Sequence, residues 1–117
     1  MKRISFETAK LAHEKGLYYH NNGWYTENGE LVTVKKGEPK PENAVYGAPV
    51  IVCLASHLHE DHGLVVEVEM YAHDAYICAI SNRAELVTWV YGPGGRPIFD
   101  NQLDAIEAGV VGIIKML

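Results

Sequence analysis

Between Leu64 and Tyr71 the chain alternates, with Leu64, Val66, Val68 and Met70 set against Val65, Glu67, Glu69 and Tyr71. A period of two predicts a half-buried antiparallel strand. Ala75 to Ile80 and Glu85 to Tyr91 supply two more apolar runs, separated by Ala72-His73-Asp74 and Ser81-Asn82-Arg83. Residues 64–91 therefore read as a three-stranded meander, ended by Gly92-Pro93-Gly94-Gly95-Arg96-Pro97. The period then becomes helical. Asp100 is the expected N-cap, and Leu103, Ile106, Val110, Ile113 and Leu117 form one stripe, broadened by Val111 and Ile114. So wide an apolar surface predicts a deeply packed helix, with a dimer contact as the alternative.

The first half of the chain is patterned less regularly. Ser5 is placed to cap a short helix over 5–15, with Phe6, Ala9 and Ala12 at helical spacing and Gly16 as its stop. Asn22-Gly23 and Asn28-Gly29 flank the aromatic pair Trp24-Tyr25 and predict a small hairpin ending in Leu31 to Val34. Residues 35–47, rich in Pro, Gly and charge, read as a surface loop. Residues 49–62 admit two readings. Val50-Ile51-Val52 would suit a strand. Pro49 at a first helical position, the recurrence of Ile51, Leu54, Leu58 and His62, and Gly63 as a C-cap favour a helix instead. The sum is an α+β protein, a single domain over 1–117, with three helices packed on a small antiparallel sheet made of the N-terminal hairpin and the meander.

Composition narrows the function classes. A chain of 117 residues with 48% apolar content can bury a core without disulfides or a structural metal. The net charge is −5, and the one basic cluster, Lys35, Lys36 and Lys40, is diluted by Glu38 and Glu42. Nucleic-acid binding is disfavoured, because phosphate recognition draws on concentrated Lys and Arg. Cys53 and Cys78 sit within apolar runs and read as buried free thiols rather than a disulfide. No signal peptide follows Met1-Lys2-Arg3 and no apolar run is long enough to span a bilayer, so the expectation is a cytoplasmic protein.

The sharpest chemical signal is His57-Leu58-His59-Glu60-Asp61-His62. Its His-x-His-x-Asp-His pattern resembles the signature of the metallo-β-lactamase superfamily, whose histidines and aspartate hold one or two zinc ions on a loop after a strand. The resemblance implies zinc ligation by His57, His59, Asp61 and His62 and activation of a bound water. The chain departs from that family: the fold implied is a larger sandwich of two αβ halves, later ligands are missing apart from His73, and Gly63 leads straight into Leu64. A helix over 49–62 also sets His57 and His59 about 200° apart and leaves only the pairs His57/Asp61 and His59/His62 on common faces.

A second resemblance spans most of the chain in short pieces. Ser5 to Ala12 with Gly16, Tyr18-Tyr19, Asn28-Gly29, Ala48-Pro49 and Ala105 to Gly109 are similar to a group of short uncharacterised proteins from gut anaerobes and their phages or mobile elements. It implies a helix at 49–62 and brings no activity. Tyr18, Tyr19, Trp24 and Tyr25 form the densest aromatic cluster, a candidate ligand or partner surface or else core filling. Glu67 and Glu69 share one strand face and read as solvated. The glycines of 92–95 lack the Lys-Ser/Thr ending of a phosphate loop, and no serine or cysteine has a nucleophile's context. The expected function is that of a non-enzymatic accessory or interaction protein of phage or mobile-element type. It would act on an unidentified protein partner, with a homodimer as one possible form and without a cofactor. A zinc-binding protein or metal-dependent hydrolase built on the histidine stretch is the alternative.

Overall fold

The computed structural model describes residues 2–19, 21–83 and 85–117. Among them the fold is α+β, with three α-helices and two three-stranded antiparallel sheets. The chain divides after Val50 into two compact units.

The first unit holds helix α1 (Phe6–Glu14) and strands β1 (Gly23–Tyr25), β2 (Leu31–Thr33) and β3 (Tyr46–Gly47), in sheet order β2-β1-β3. Ser5 caps α1 as expected, its hydroxyl accepting the Thr8 N–H at 3.2 Å. At the other end Gly16 takes φ +73°. Leu17 N–H reaches Ala12 O and Gly16 N–H reaches His13 O, a Schellman closure that an L-residue at this φ would strain. The hairpin turns at Asn28-Gly29, where Thr26 N–H bonds Glu30 O at 2.8 Å. Asn22-Gly23 is not a second hairpin turn. There the Asn21 side chain accepts Gly23 N–H at 2.8 Å and starts β1. The expected loop 35–47 is corrected at its end, since Tyr46–Gly47 pairs with Trp24 and Tyr25 as the third strand. Arg3 holds the entry of this sheet, donating to Ala48 O at 2.7 Å and to Asn22 Oδ1 at 2.5 Å.

The second unit contains helix α2 (Ile51–His62), strands β4 (Val65–Ala72), β5 (Ala75–Ser81) and β6 (Leu86–Val90), and helix α3 (Gln102–Met116). The helical reading of the 49–62 segment holds, although Pro49 and Val50 precede the helix: Val50 bridges to Arg3 and Pro49 O accepts Ile4 N–H. Ile51, Leu54 and Leu58 are buried along one side of α2, and Gly63 N–H closes its end on His59 O. The meander has order β4-β5-β6. Both of its outer strands carry an irregularity: Tyr71 is an extra residue in β4 between the Met70–Tyr76 and Ala72–Ala75 pairs. Val87 is the extra residue in β6, between the Thr88–Ile80 and Leu86–Ser81 pairs. Such bulges twist an edge and discourage further strand pairing.

Helix α3 covers one side of this sheet, and it does so with small residues. Asn101, not Asp100, caps it, accepting Asp104 N–H at 2.9 Å. The buried stripe is Ala105, Gly109, Val110, Ile113 and Ile114, whereas Leu103 and Leu117 of the expected stripe are about two-fifths exposed. Glycine explains the rotation. A Cβ at Gly109 would strike Val66 and come within 2.9 Å of Cys78 Sγ, and one at Gly112 would meet Ile80 at 2.8 Å. The helix therefore lies closer to the sheet than a stripe of large side chains would allow. Cys78, Phe99 and Ala105 form the centre of the core beneath it, flanked by Val66, Val68, Tyr76, Val90 and Ala108.

Candidate functional site

The histidine stretch lies entirely on α2. Leu58 is fully buried, His57 half-buried, and His59, Asp61 and His62 are exposed. His62, which shares the spacing of Ile51, Leu54 and Leu58, is thus exposed where they are buried. Helical geometry pairs His57 with Asp61 and His59 with His62 on different sides. Among the described residues, no three His, Cys, Asp or Glu side chains are arranged to hold a single metal ion. Each pair can offer two donors to an ion, one short of the three protein ligands of an open zinc site.

The aromatic cluster of the first unit is also divided by its own strand. Successive residues of a strand point to opposite faces. Tyr25 turns toward α1, its ring edge-on to Phe6 with centroids 5.6 Å apart and its hydroxyl donating to Ile4 O at 2.7 Å. Phe6 meets Tyr46 in the same manner, and His13 joins Tyr46 to Tyr18. Trp24 lines a separate shallow groove with Asn22, Val34, Lys35 and Lys36. Tyr19 is half-buried, and Tyr18 is 74% exposed. The four residues are not one platform.

The two cysteines differ. Cys53 is exposed on α2, against the expectation that both are buried. Cys78 lies in the core, where burial pushes its thiol up to about 11 and a backbone hydrogen bond with Gly109 only partly opposes the shift. Such a thiol stays protonated at neutral pH and is no nucleophile.

What remains is the sheet face turned away from α3. Glu67 and Glu69 of β4, Ile77, Ala79 and Ser81 of β5, and Leu86 and Trp89 of β6 share it, with Asn82, Arg83 and Glu85 at one end. They bound a groove of about 440 Å³. Its shape comes from side-chain size. One rung of the ladder runs Glu67–Ala79–Trp89, so a methyl group lies between two large side chains. Ser81 donates to Glu67 Oε2 at 3.1 Å and fixes that carboxylate over the sheet. A second hollow of about 290 Å³ adjoins the first, lined by Tyr71, Ile77, Trp89, Tyr91 and Pro97. Ile77 and Trp89 belong to both. Tyr71 is 71% exposed, Tyr91 60%, Leu86 52% and Trp89 49%. Apolar side chains grouped like this on an uncovered face mark interaction surfaces.

Sequence reading placed Glu67 and Glu69 on one face but missed the aromatic residues beside them. Trp89 and Tyr91 share strand parity, which was a visible signal. Which side of the meander a helix covers was not. No protein-family model, curated protein or solved structure matches the chain.

Proposed function

We propose that this chain is an interaction protein that binds a protein partner across the open face of its second sheet. The observation that carries the reading is the grouping of Tyr71, Leu86, Trp89 and Tyr91, each about half or more exposed, around two adjoining hollows on a sheet whose other face packs against α3. Interfaces concentrate aromatic side chains of this type, and Trp and Tyr dominate their binding energy. The bulges at Tyr71 and Val87 make strand addition at either edge unfavourable, which leaves the face rather than the edges as the docking element. A cytoplasmic setting fits two unpaired cysteines, one of them exposed. No helix among the described residues is long and apolar enough to cross a membrane.

The test is affinity capture from the native host with the wild-type chain, Trp89→Ser and, as a surface control, Tyr18→Ser. The proposal expects a specific protein retained by the first and third and lost by the second, with the Trp89→Ser thermal midpoint within a few degrees of wild type. Identical retention by all three would overturn it.

A further inference from the structure

The open face is not uniformly apolar, and its chemistry selects among partners. Its lining holds three carboxylates, Glu67 and Glu69 along β4 and Glu85 at the Asn82 end, and a single guanidinium, Arg83. Across from Glu67 stands Trp89, and the floor between is Ala79 with Ile77 beside it. Neighbouring strands lie about 4.8 Å apart, so Glu67 and Trp89, two strands apart on one rung, leave a channel of about 10 Å between backbones. A long aliphatic stem fits that channel over the Ala79 methyl. A cationic head at its end would meet Glu67 and Glu69 on one side and the indole face on the other, through charge-assisted hydrogen bonds and cation–π attraction. The adjoining hollow, lined by Tyr71, Tyr91 and Pro97, offers no charge and suits an aliphatic side chain.

Resting on the interaction reading above, we infer that the groove takes a Lys or Arg side chain of an extended partner segment, with an aliphatic residue of the same segment seated beside Tyr71 and Tyr91. The partner is therefore a protein that exposes a basic–aliphatic stretch. A Glu- or Asp-rich segment is refused by like charge, because the groove's three carboxylates outnumber its one guanidinium.

The probe is a short capped peptide in which Arg and Val lie two residues apart with Ser between them, so that both face the sheet when the peptide is extended, with two companions: one carrying neutral citrulline for each Arg, and one carrying Glu. Binding is followed by chemical-shift changes of the Trp89 indole N–H, assigned with Trp89→Phe. The Arg peptide is expected to shift that resonance saturably and more weakly at high salt. The citrulline peptide should bind about tenfold less tightly and the Glu peptide not at all. Glu67→Gln/Glu69→Gln should cost the Arg peptide a similar factor. Ala79→Leu, which fills the channel while keeping every charge and the indole, should abolish the shift. Equal affinity of the Arg and citrulline peptides, or binding undisturbed by both variants, would overturn the inference. So would concentration-dependent self-association lost in Glu67→Gln/Glu69→Gln, which would assign the groove to the Lys35, Lys36 and Lys40 loop of a second copy. If the Arg peptide fails while Trp89→Ser still loses the partner captured from the host, the basic occupant is wrong and the interaction surface stands. If both fail, both are wrong.

Discussion

Replacing Gly109 by alanine tests how α3 sits on the sheet. At an ordinary exposed helical position this change stabilises by about 0.8–1 kcal/mol, because glycine is the poorer helix former. Here the added methyl would collide with Val66 and lie 2.9 Å from Cys78 Sγ, closer than such contacts tolerate. Overpacking a dense core costs about 1–3 kcal/mol, so the clash outweighs the propensity gain and leaves a net loss of about 1 kcal/mol. For a chain of this size that is a fall in thermal midpoint of about 3–5 °C. Gly109→Val recovers less propensity and adds more bulk, so it should be worse than Gly109→Ala. Urea unfolding followed by helical circular dichroism gives the order wild type, Gly109→Ala, Gly109→Val. The cause is isolated by adding Val66→Ala, which removes the obstructing branches. Gly109→Ala should then cost less, or turn favourable, in the Val66→Ala background. A Gly109→Ala chain more stable than wild type, or additive behaviour with Val66→Ala, would refute the close helix–sheet contact.

Other consequences are as concrete. Arg3→Ala removes donors to Ala48 O and Asn22 Oδ1 and should cost about 1–3 kcal/mol, with Arg3→Lys failing to restore it because an ammonium lacks the fork that reaches both; denaturant midpoints check this. The thiols should react unequally: a thiol-specific dye modifies Cys53 in the folded chain and Cys78 only after unfolding. The Cys78 thiol titrates at about 11 when folded against 9.0 when unfolded, a raised value. Its contribution to stability is therefore complete below pH 9 and is lost as pH rises through 11, by at most ~2–3 kcal/mol. Unfolding free energies of wild type should fall more steeply than those of Cys78→Ala over that window, and parallel curves would contradict the burial argument. Zinc offered to tag-free protein should be retained at far less than one equivalent, since His57/Asp61 and His59/His62 lie on different sides of α2; near-stoichiometric zinc lost in His57→Ala/His59→Ala would reverse that reading.

Much of the fold was written in local patterns. The alternation from Leu64 to Tyr71 became β4, the Ser5 cap and Gly16 stop bound α1, and the Ile51–Leu54–Leu58 spacing became the buried side of α2. Elements without a period were not legible. Tyr46–Gly47 is a strand of two residues, formed only because Trp24 and Tyr25 offer it a ladder. The stripe of α3 was legible at Val110, Ile113 and Ile114 and misread at its ends, Leu103 and Leu117, because sequence reading follows bulk, whereas this helix also packs through Ala105 and Gly109, where a small or absent side chain is what matters. Cys53 reads as interior from its neighbours' hydrophobicity, and His62 falls on the Ile51–Leu54–Leu58 spacing, yet both are exposed on α2. The candidate surface failed to show for a related reason. Glu67, Trp89 and Tyr91 are separated along the chain, and only register brings Glu67 and Trp89 to one rung across Ala79.

The most direct test of the open face is a photo-crosslinking residue placed at position 82, at the end of the groove and outside its apolar contacts, with the same residue at position 18 as the comparison. Both sites are exposed, one beside the groove of the second sheet and one at the tyrosine pair after α1. Irradiation in the native host should yield a defined adduct from position 82, suppressed by Ala79→Leu, and none from position 18. Adducts from position 18 with none from position 82 would contradict the account.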